Sequence, residues 1–170
     1  MVFTSFEFAV FFGVVLMLNW RLKDNSSVYR PFLLAANLLF YALGAPKFVP
    51  LLLVVALLNW YTTVLLYREH RPARRKVFIG LDVALCLSIL FFFKYFEFGL
   101  GLVESLGVAD GLLARFRLPE IVYPIGLSFF TFQGLSLAID HYRDPTLEPP
   151  DFLSAMIFVS FFPTVLSGPI

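Results

Sequence analysis

The side chains that could do chemistry in this chain are few, and they form no recognisable catalytic set. His70 lies between Glu69 and Arg71 in a basic stretch, where a solvated role is the default. His141 follows Asp140, but neighbouring helical residues point about 100° apart, so this carboxylate is poorly placed to orient the imidazole. No metal-ligand spacing, phosphate-binding glycine loop or nucleophile elbow occurs in the sequence. We expect neither a catalytic residue nor a metal site within it.

A polar stripe in the fifth apolar segment is the more informative feature. At about 100° per residue, Gln133, Ser136 and Asp140 fall within about 60° of one another on a helix. Such a stripe does not face lipid, so it must face another helix or a water-filled cavity. The commoner explanation of such a stripe is packing against another helix. The more specific explanation is that it lines a tunnel.

A second stripe occupies the sixth apolar segment, where Ser160, Thr164 and Ser167 recur at helical spacing. Pro163 lies inside this stripe and lacks an N–H, so it should free the carbonyl one turn back. Gly168-Pro169 should end the helix. Unwound backbone at membrane depth survives only where protein or a cavity surrounds it, which predicts that this bend lies inside a larger bundle.

Two other polar features have simpler interpretations. Asp82 is five residues past Val77, so it could reach the membrane interface or pair with Arg74 or Arg75, and we interpret it as an interfacial acid. A polar face on the third segment should hold helices together; its members are Asn59, Thr62 and Thr63.

The composition predicts a membrane protein. Hydrophobic residues make up 59% of the 170, charged residues 15%, and the mean hydropathy is +0.83. A soluble domain of this size cannot bury so much apolar surface. The predicted fold is all-α, a polytopic transmembrane helix bundle within a single membrane domain over 1–170. About six membrane segments are expected, at residues 3–20, 32–45, 48–67, 77–98, 121–142 and 152–166, with 99–120 as an amphipathic outer loop.

The distribution of basic residues predicts the orientation. With the amino terminus outside and six crossings, the outer loops hold Lys47, Arg115 and Arg117. The inner loops then hold the larger set, namely Arg21, Lys23, Arg30, Arg68, Arg71, Arg74, Arg75, Lys76 and Arg143. This asymmetry favours the amino terminus outside. The basic stretch from Arg68 to Lys76 suits inner-leaflet lipid better than nucleic acid.

Several stretches, taken in order and spacing, resemble the membrane-bound O-acyltransferase family, in its bacterial alginate O-acetyltransferase branch. The most specific are Gly126-Leu-Ser-Phe-Phe-Thr-Phe-Gln133, Ile139-Asp-His-Tyr-Arg143 and Phe161-Phe-Pro163 followed by Ser167-Gly-Pro-Ile170. Weaker matches are Met1-Val-Phe-Thr-Ser-Phe-Glu-Phe8, Asn37-Leu-Leu-Phe-Tyr-Ala42 and Phe91-Phe-Phe-Lys-Tyr-Phe-Glu-Phe98. His141 stands where the family favours a small aliphatic residue, so we interpret it as variation.

The resemblance implies an enzyme of the bacterial inner membrane that moves an acetyl group from a cytoplasmic donor to an extracytoplasmic polysaccharide such as alginate. The donor would be acetyl-CoA or an acyl carrier, with no tightly bound cofactor. The family's catalytic histidine lies downstream of the Ser-Gly-Pro-Ile motif, beyond Ile170. The chain is thus expected to be the amino-terminal part of such an enzyme and inactive alone. Tunnel-lining or bracing candidates are Gln133, Ser136, Asp140, Ser160, Pro163 and Thr164. Expected partners are the lipid bilayer, the remainder of the same protein and periplasmic polysaccharide-modification proteins.

Three other functions fit the same residues. A D-alanyl transfer protein of teichoic acid modification is a close alternative. A transporter or polysaccharide-export subunit would also use broken helices and polar stripes at membrane depth. A truncated, non-catalytic interaction protein is the third.

Overall fold

The computed structural model describes the backbone of residues 6–105 and 124–165 and the side chains of residues 6–95 and 124–165. This part is helical and contains no β-strand, which confirms the all-α prediction. Its helices are α1 (Phe6–Leu22), α2 (Ser26–Gly44), α3 (Val49–Arg68), α4 (Pro72–Ser105), α5 (Leu127–Arg143), α6 (Phe152–Ser160) and α7 (Phe162–Val165). A 3₁₀ turn, Pro46–Phe48, joins α2 to α3.

Helix bounds differ from the predicted segments at two places. α2 begins at Ser26 rather than residue 32, because Pro31 lies near the start of the helix and costs only one carbonyl its partner. α4 is 34 residues long, about 51 Å, and continues to Ser105. The predicted outer loop at 99–120 is therefore helical over its first residues, and its remainder lies outside the described residues.

Two stretches in the described part are long and apolar enough to cross a membrane. They are Pro46–Arg68 and Pro72–Tyr95. The other helices are shorter or less apolar, so six crossings stay a prediction. Many large apolar side chains face outward, among them Phe6, Met17 and Trp20 on α1 and Phe91 on α4. Such a surface suits lipid or further protein.

The central helix is α3, which packs against α4, α5 and α6. Its apolar contacts come from Leu52, Val55 and Ala56, all fully buried with Phe130 of α5 and Val159 of α6. A smaller aromatic cluster attaches α1 to this core. There Phe11, Phe40 and Phe162 stack or tilt against one another, with ring centroids 5.3–5.6 Å apart.

Small residues allow α5 to approach its neighbours closely. A Cβ atom at Gly134 would lie 2.6 Å from Nδ2 of Asn59 on α3. At the start of α5, Gly126 has φ +75° and a side chain there would collide with the Val165 carbonyl of α7. The polar face predicted to join helices is buried as expected, with Asn59 and Thr63 fully inaccessible and Thr62 5% exposed.

Gly134→Ala should reduce the free energy of unfolding by about 1–3 kcal/mol, because the added methyl group pushes α5 away from Asn59. Gly80→Ala on α4 is the matched control, since its Cβ would meet nothing within 4 Å. Thermal unfolding of the detergent-purified protein measures both. Equal melting temperatures for the two variants would contradict the close packing of α5 on α3.

Candidate functional site at a broken helix

The sixth segment is interrupted at Phe161, where the backbone has φ −55° and ψ 112°. α6 ends with the Phe161 N–H donating to the Phe158 carbonyl, and α7 begins with Thr164 and Val165 donating to the Phe161 carbonyl. The break was expected at Pro163, which instead occupies the second position of the new helix. Proline is tolerated in the first turn of a helix, because the first helical N–H groups have no partner within the helix. The predicted interruption of the sixth segment is thus present just before Pro163, and the proline itself lies in the first turn of the new helix.

Asn37 of α2 supplies partners on both sides of the break. Its Oδ1 accepts the N–H of Phe162 at 3.2 Å, and its Nδ2 donates to the Ile157 carbonyl at 3.3 Å. The same Nδ2 lies 3.5 Å from Oγ of Ser160, whose hydroxyl donates to the Met156 carbonyl at 2.6 Å. Asn37 is fully buried. A primary amide is suited to this place because it offers both a donor and an acceptor.

Gln133 of α5 holds the break from a second direction. Its Nε2 donates to the Phe158 carbonyl at 2.8 Å, and its Oε1 lies 3.0 Å from the Thr164 hydroxyl. That hydroxyl is also 3.0 Å from the Phe161 carbonyl. We call the two amides, Asn37 and Gln133, with the break between them, the amide clamp. It satisfies backbone groups that would otherwise be buried without partners.

The predicted site residues separate into two groups. Gln133, Ser160, Pro163 and Thr164 meet at the amide clamp. Ser136 and Asp140 lie further along α5 and are exposed. The Ser136 hydroxyl donates to the Gln133 carbonyl of its own helix at 2.8 Å, so it makes no link to another helix there. The predicted residues Ser167 and Gly168-Pro169 lie outside the described residues.

Asn37 is the residue that the sequence prediction missed. It stood only in a motif of the family resemblance, although an asparagine inside an apolar run is itself a signal of a buried contact. Tyr41, one turn later on the same helix, donates its hydroxyl to the Ile125 carbonyl at 3.1 Å. Together these side chains join α2 to the break and to the turn that precedes α5.

Arg75 joins the ends of three helices at the opposite side of the core. It is 6% exposed and points its guanidinium at four backbone carbonyls. These belong to Leu66 in the last turn of α3, to Glu69 just after α3, and to His141 and Tyr142 of α5. The carboxyl ends of helices carry partial negative charge, so a buried cation is stabilised here. α3 and α5 therefore run in the same direction and end at one level.

Backbone carbonyls surround the imidazole ring of His141. It is buried, and its Nδ1 lies 2.8 Å from the Leu137 carbonyl while Nε2 lies 3.2 Å from the Glu148 carbonyl. Both ring nitrogens thus face backbone oxygens, which leaves neither free to act as a base. This geometry favours the interpretation of His141 as variation rather than as a site.

The carboxylates outside the apolar segments are held by local hydrogen bonds. Asp151 caps α6 by accepting from the Ser154 N–H and hydroxyl, which lowers the pKa of its carboxyl, and Arg30 of α2 pairs with it at 3.0 Å. Asp144 accepts from the hydroxyl and N–H of Thr146, and these bonds lower its pKa. The Arg30–Asp151 pair places the start of α2 beside the start of α6, so these two helices run parallel.

The interpretation of Asp82 as an interfacial acid is wrong. Its side chain is 1% exposed and turned into the core between α3 and α4. Neither of its oxygens accepts a hydrogen bond from the described residues, so it pairs with neither Arg74 nor Arg75. Arg75 instead uses its donors on the backbone carbonyls described above, and Arg74 pairs with Glu69 at 3.4 Å.

Comparison with known proteins gives consistent matches over the whole chain. It is 32% identical over 174 aligned positions to the probable alginate O-acetylase AlgI of Pseudomonas syringae pv. tomato, which covers all of this chain and 33% of that protein. The corresponding protein of Pseudomonas aeruginosa is 32% identical, with all of this chain and 32% of that protein covered. This chain is a homologue of the alginate O-acetylases.

A further relative is named for a different acceptor. The peptidoglycan O-acetyltransferase of Helicobacter pylori is 27% identical over 162 positions, covering 81% of this chain and 30% of that protein. The chain spans about a third of the length of the curated relatives it matches. No family model and no solved structure matches it. The resemblance predicted from the sequence is confirmed by the similarity to these O-acetylases and to this O-acetyltransferase.

Asn37→Leu should lower the free energy of unfolding by about 1–3 kcal/mol, because it leaves the Phe162 N–H and the Ile157 carbonyl buried without partners. Gln133→Leu should cost less, since its side chain is only half-buried. Asn19→Leu, on a half-exposed position of α1, is the control for the change of side chain. The measurement is thermal unfolding in detergent. A melting temperature of Asn37→Leu equal to that of Asn19→Leu would rule out the amide clamp.

Proposed function

We propose that this chain is the amino-terminal part of a membrane O-acetyltransferase that acts on an extracytoplasmic polysaccharide. The observation that carries the proposal is its similarity, over its full length, to proteins named as alginate O-acetylases and over most of it to a peptidoglycan O-acetyltransferase. The acceptors in these names are both polymers of sugars, so the shared chemistry is transfer of an acetyl group to a sugar hydroxyl. These names favour acetyl transfer over D-alanyl transfer and over export.

The described residues would contribute shape and support rather than acid–base chemistry. Acetyl transfer to a hydroxyl needs a base to take the hydroxyl proton. In the part of the chain that the structure describes, His70 is exposed in the α3–α4 turn and His141 has both nitrogens against carbonyls. We therefore place the catalytic histidine beyond Ile170, as the family resemblance implies, and expect residues 1–170 alone to be inactive.

The exposed part of the α5 stripe is the proposed wall of the acetyl path. Ser136 and Asp140 lie on the face of α5 that turns away from α3, while Gln133, on the same stripe, holds the break. A carboxylate and a hydroxyl at membrane depth are costly against lipid, so this face should be covered by further protein or by a watery passage. The alternative to a passage wall is that this face packs against another helix of the complete enzyme.

Ser136→Leu separates a passage from a packing contact. Its hydroxyl bonds only to its own helix in the described part, so the substitution should leave the melting temperature unchanged. If the residue lines the path, a larger apolar side chain should reduce polymer acetylation at least tenfold, which is about 1.4 kcal/mol of barrier. The assay measures acetyl esters on exopolysaccharide and on peptidoglycan in cells that carry the complete protein, against a deletion strain.

Ser88→Leu is the matched control, because Ser88 is also exposed and also donates to its own helix, at the Ala84 carbonyl on α4. Normal acetylation in Ser136→Leu, or a loss that merely follows a lower melting temperature, would show that the stripe is packing. Unchanged acetyl content of both polymers in the deletion strain would overturn the proposed function itself.

We further propose a position in the bacterial inner membrane with the amino terminus outside, from the excess of basic residues in the predicted inner loops. Single cysteines at Lys47 and Arg71, both exposed, test it in a Cys86→Ser background. An impermeant thiol reagent should label Lys47→Cys in spheroplasts and label Arg71→Cys only after permeabilisation. The opposite labelling pattern would show that the amino terminus lies inside.

A further inference from the structure

Asp82 is an acidic side chain that is buried without an ion-pair partner in the described part. It lies on the face of α4 that packs on α3, four residues from Cys86, and both side chains are buried. One turn further along the interface, Nδ2 of Asn59 lies 3.6 Å from the Cys86 sulfur. The carboxyl group of Asp82 is therefore enclosed between helices and removed from water.

The hydroxyl and amide donors beside Asp82 already have other partners in the described part. The neighbouring Thr62 hydroxyl donates to the Leu58 carbonyl at 3.1 Å, and Thr63 donates to the Trp60 carbonyl at 2.7 Å. Since a hydroxyl has a single hydrogen, each of these oxygens can offer only lone pairs to a further partner. Asn59 already uses Nδ2 on the Val55 carbonyl at 2.8 Å.

No charged group of the described part compensates Asp82. Arg75, seven residues earlier on α4 and about 10 Å along its axis, directs its guanidinium at carbonyls of the helix ends. On α5, His141 is buried, and its nitrogens contact the Leu137 and Glu148 carbonyls. On α3, Tyr61 and Tyr67 are exposed, and on α4 the thiol of Cys86 is buried beside Asp82.

A bare carboxylate in this place would be unpaired and cut off from water, which strongly disfavours the charged form. A carboxylic acid would not be unpaired, because its O–H can donate to the Thr62 oxygen while Thr62 keeps its own bond to Leu58. We propose that Asp82 is a proton-binding site, occupied at neutral pH in the folded protein, and that its acid group donates to Thr62 across the α3–α4 interface. This proposal is independent of the proposed function.

The bound proton would have a definite effect on stability. The folded protein holds a proton at Asp82 that the unfolded chain, with an exposed aspartate, releases at neutral pH. The folded state then binds more protons, so stability should decline as the pH rises. Asp82→Asn mimics the neutral acid and should keep the melting temperature while removing this part of the decline.

Infrared spectroscopy of the complete, detergent-purified protein tests the proposal directly. At neutral pH the wild-type protein should show the carbonyl stretch of a protonated carboxylic acid, and this band should be missing in Asp82→Asn. Asp144→Asn is the control, because Asp144 is an exposed loop carboxylate with a lowered pKa and should lose a carboxylate band instead. A carboxylate band lost in Asp82→Asn would overturn the proposal.

Thr62→Val keeps the test decisive if Asp82→Asn fails to fold. Removing the acceptor oxygen should shift the acid carbonyl band of Asp82, and an unshifted band would refute the Asp82–Thr62 bond. A sodium ion is the other possible occupant of such a site. A melting temperature that is higher in sodium chloride than in choline chloride for the wild-type protein, but not for Asp82→Asn, would show a cation site and reject the proton.

Discussion

Backbone pairing at the Phe161 break is the constraint on which the rest of the structure depends. A helix that stops and restarts within a packed core exposes N–H and C=O groups, and no water is there to receive them. The amide clamp answers this need from two different helices, α2 through Asn37 and α5 through Gln133. Because each amide must reach a defined backbone atom, the clamp also fixes where α2 and α5 stand relative to α6. The Arg30–Asp151 pair fixes α2 against the start of α6. The Tyr41 hydroxyl fixes α2 against the turn that precedes α5.

The packing of α3, α4 and α5 depends on small residues that let the helices approach closely and on polar contacts between them. Helices within lipid gain little from burying apolar surface, so small residues and polar contacts decide how they associate. Gly134 lets α5 lie against Asn59 of α3, and Arg75 joins the ends of α3 and α5 through their carbonyls. Asp82 lies between these two contacts. The α3–α4–α5 interface thus carries a file of polar groups inside a strongly apolar chain.

Local patterns in the sequence were sufficient for the helices and for part of the site. The stripe of Gln133 and the polar positions Ser160 and Thr164 follow from helical periodicity, which is a short-range property, and those residues do meet. The break itself was placed two residues too late, because proline both interrupts one helix and favours the start of the next. Asn37 was missed since its partners are separated from it by 120 residues or more. The burial of Asp82 likewise depends on which face of α4 meets α3, and no local pattern contains that information.

The distance between Asn37 and its partners has a consequence for how the protein is made. Separations of 120 to 125 residues mean that α2 is synthesised and leaves the ribosome long before Ile157 and Phe162 exist. During that interval the Asn37 amide must either remain unpaired in the bilayer, accept a provisional partner, or wait with α2 outside the hydrocarbon. The contacts that complete α2 therefore cannot form until residues 157–162 have been synthesised, and the interval before them is when misassembly and proteolysis would act.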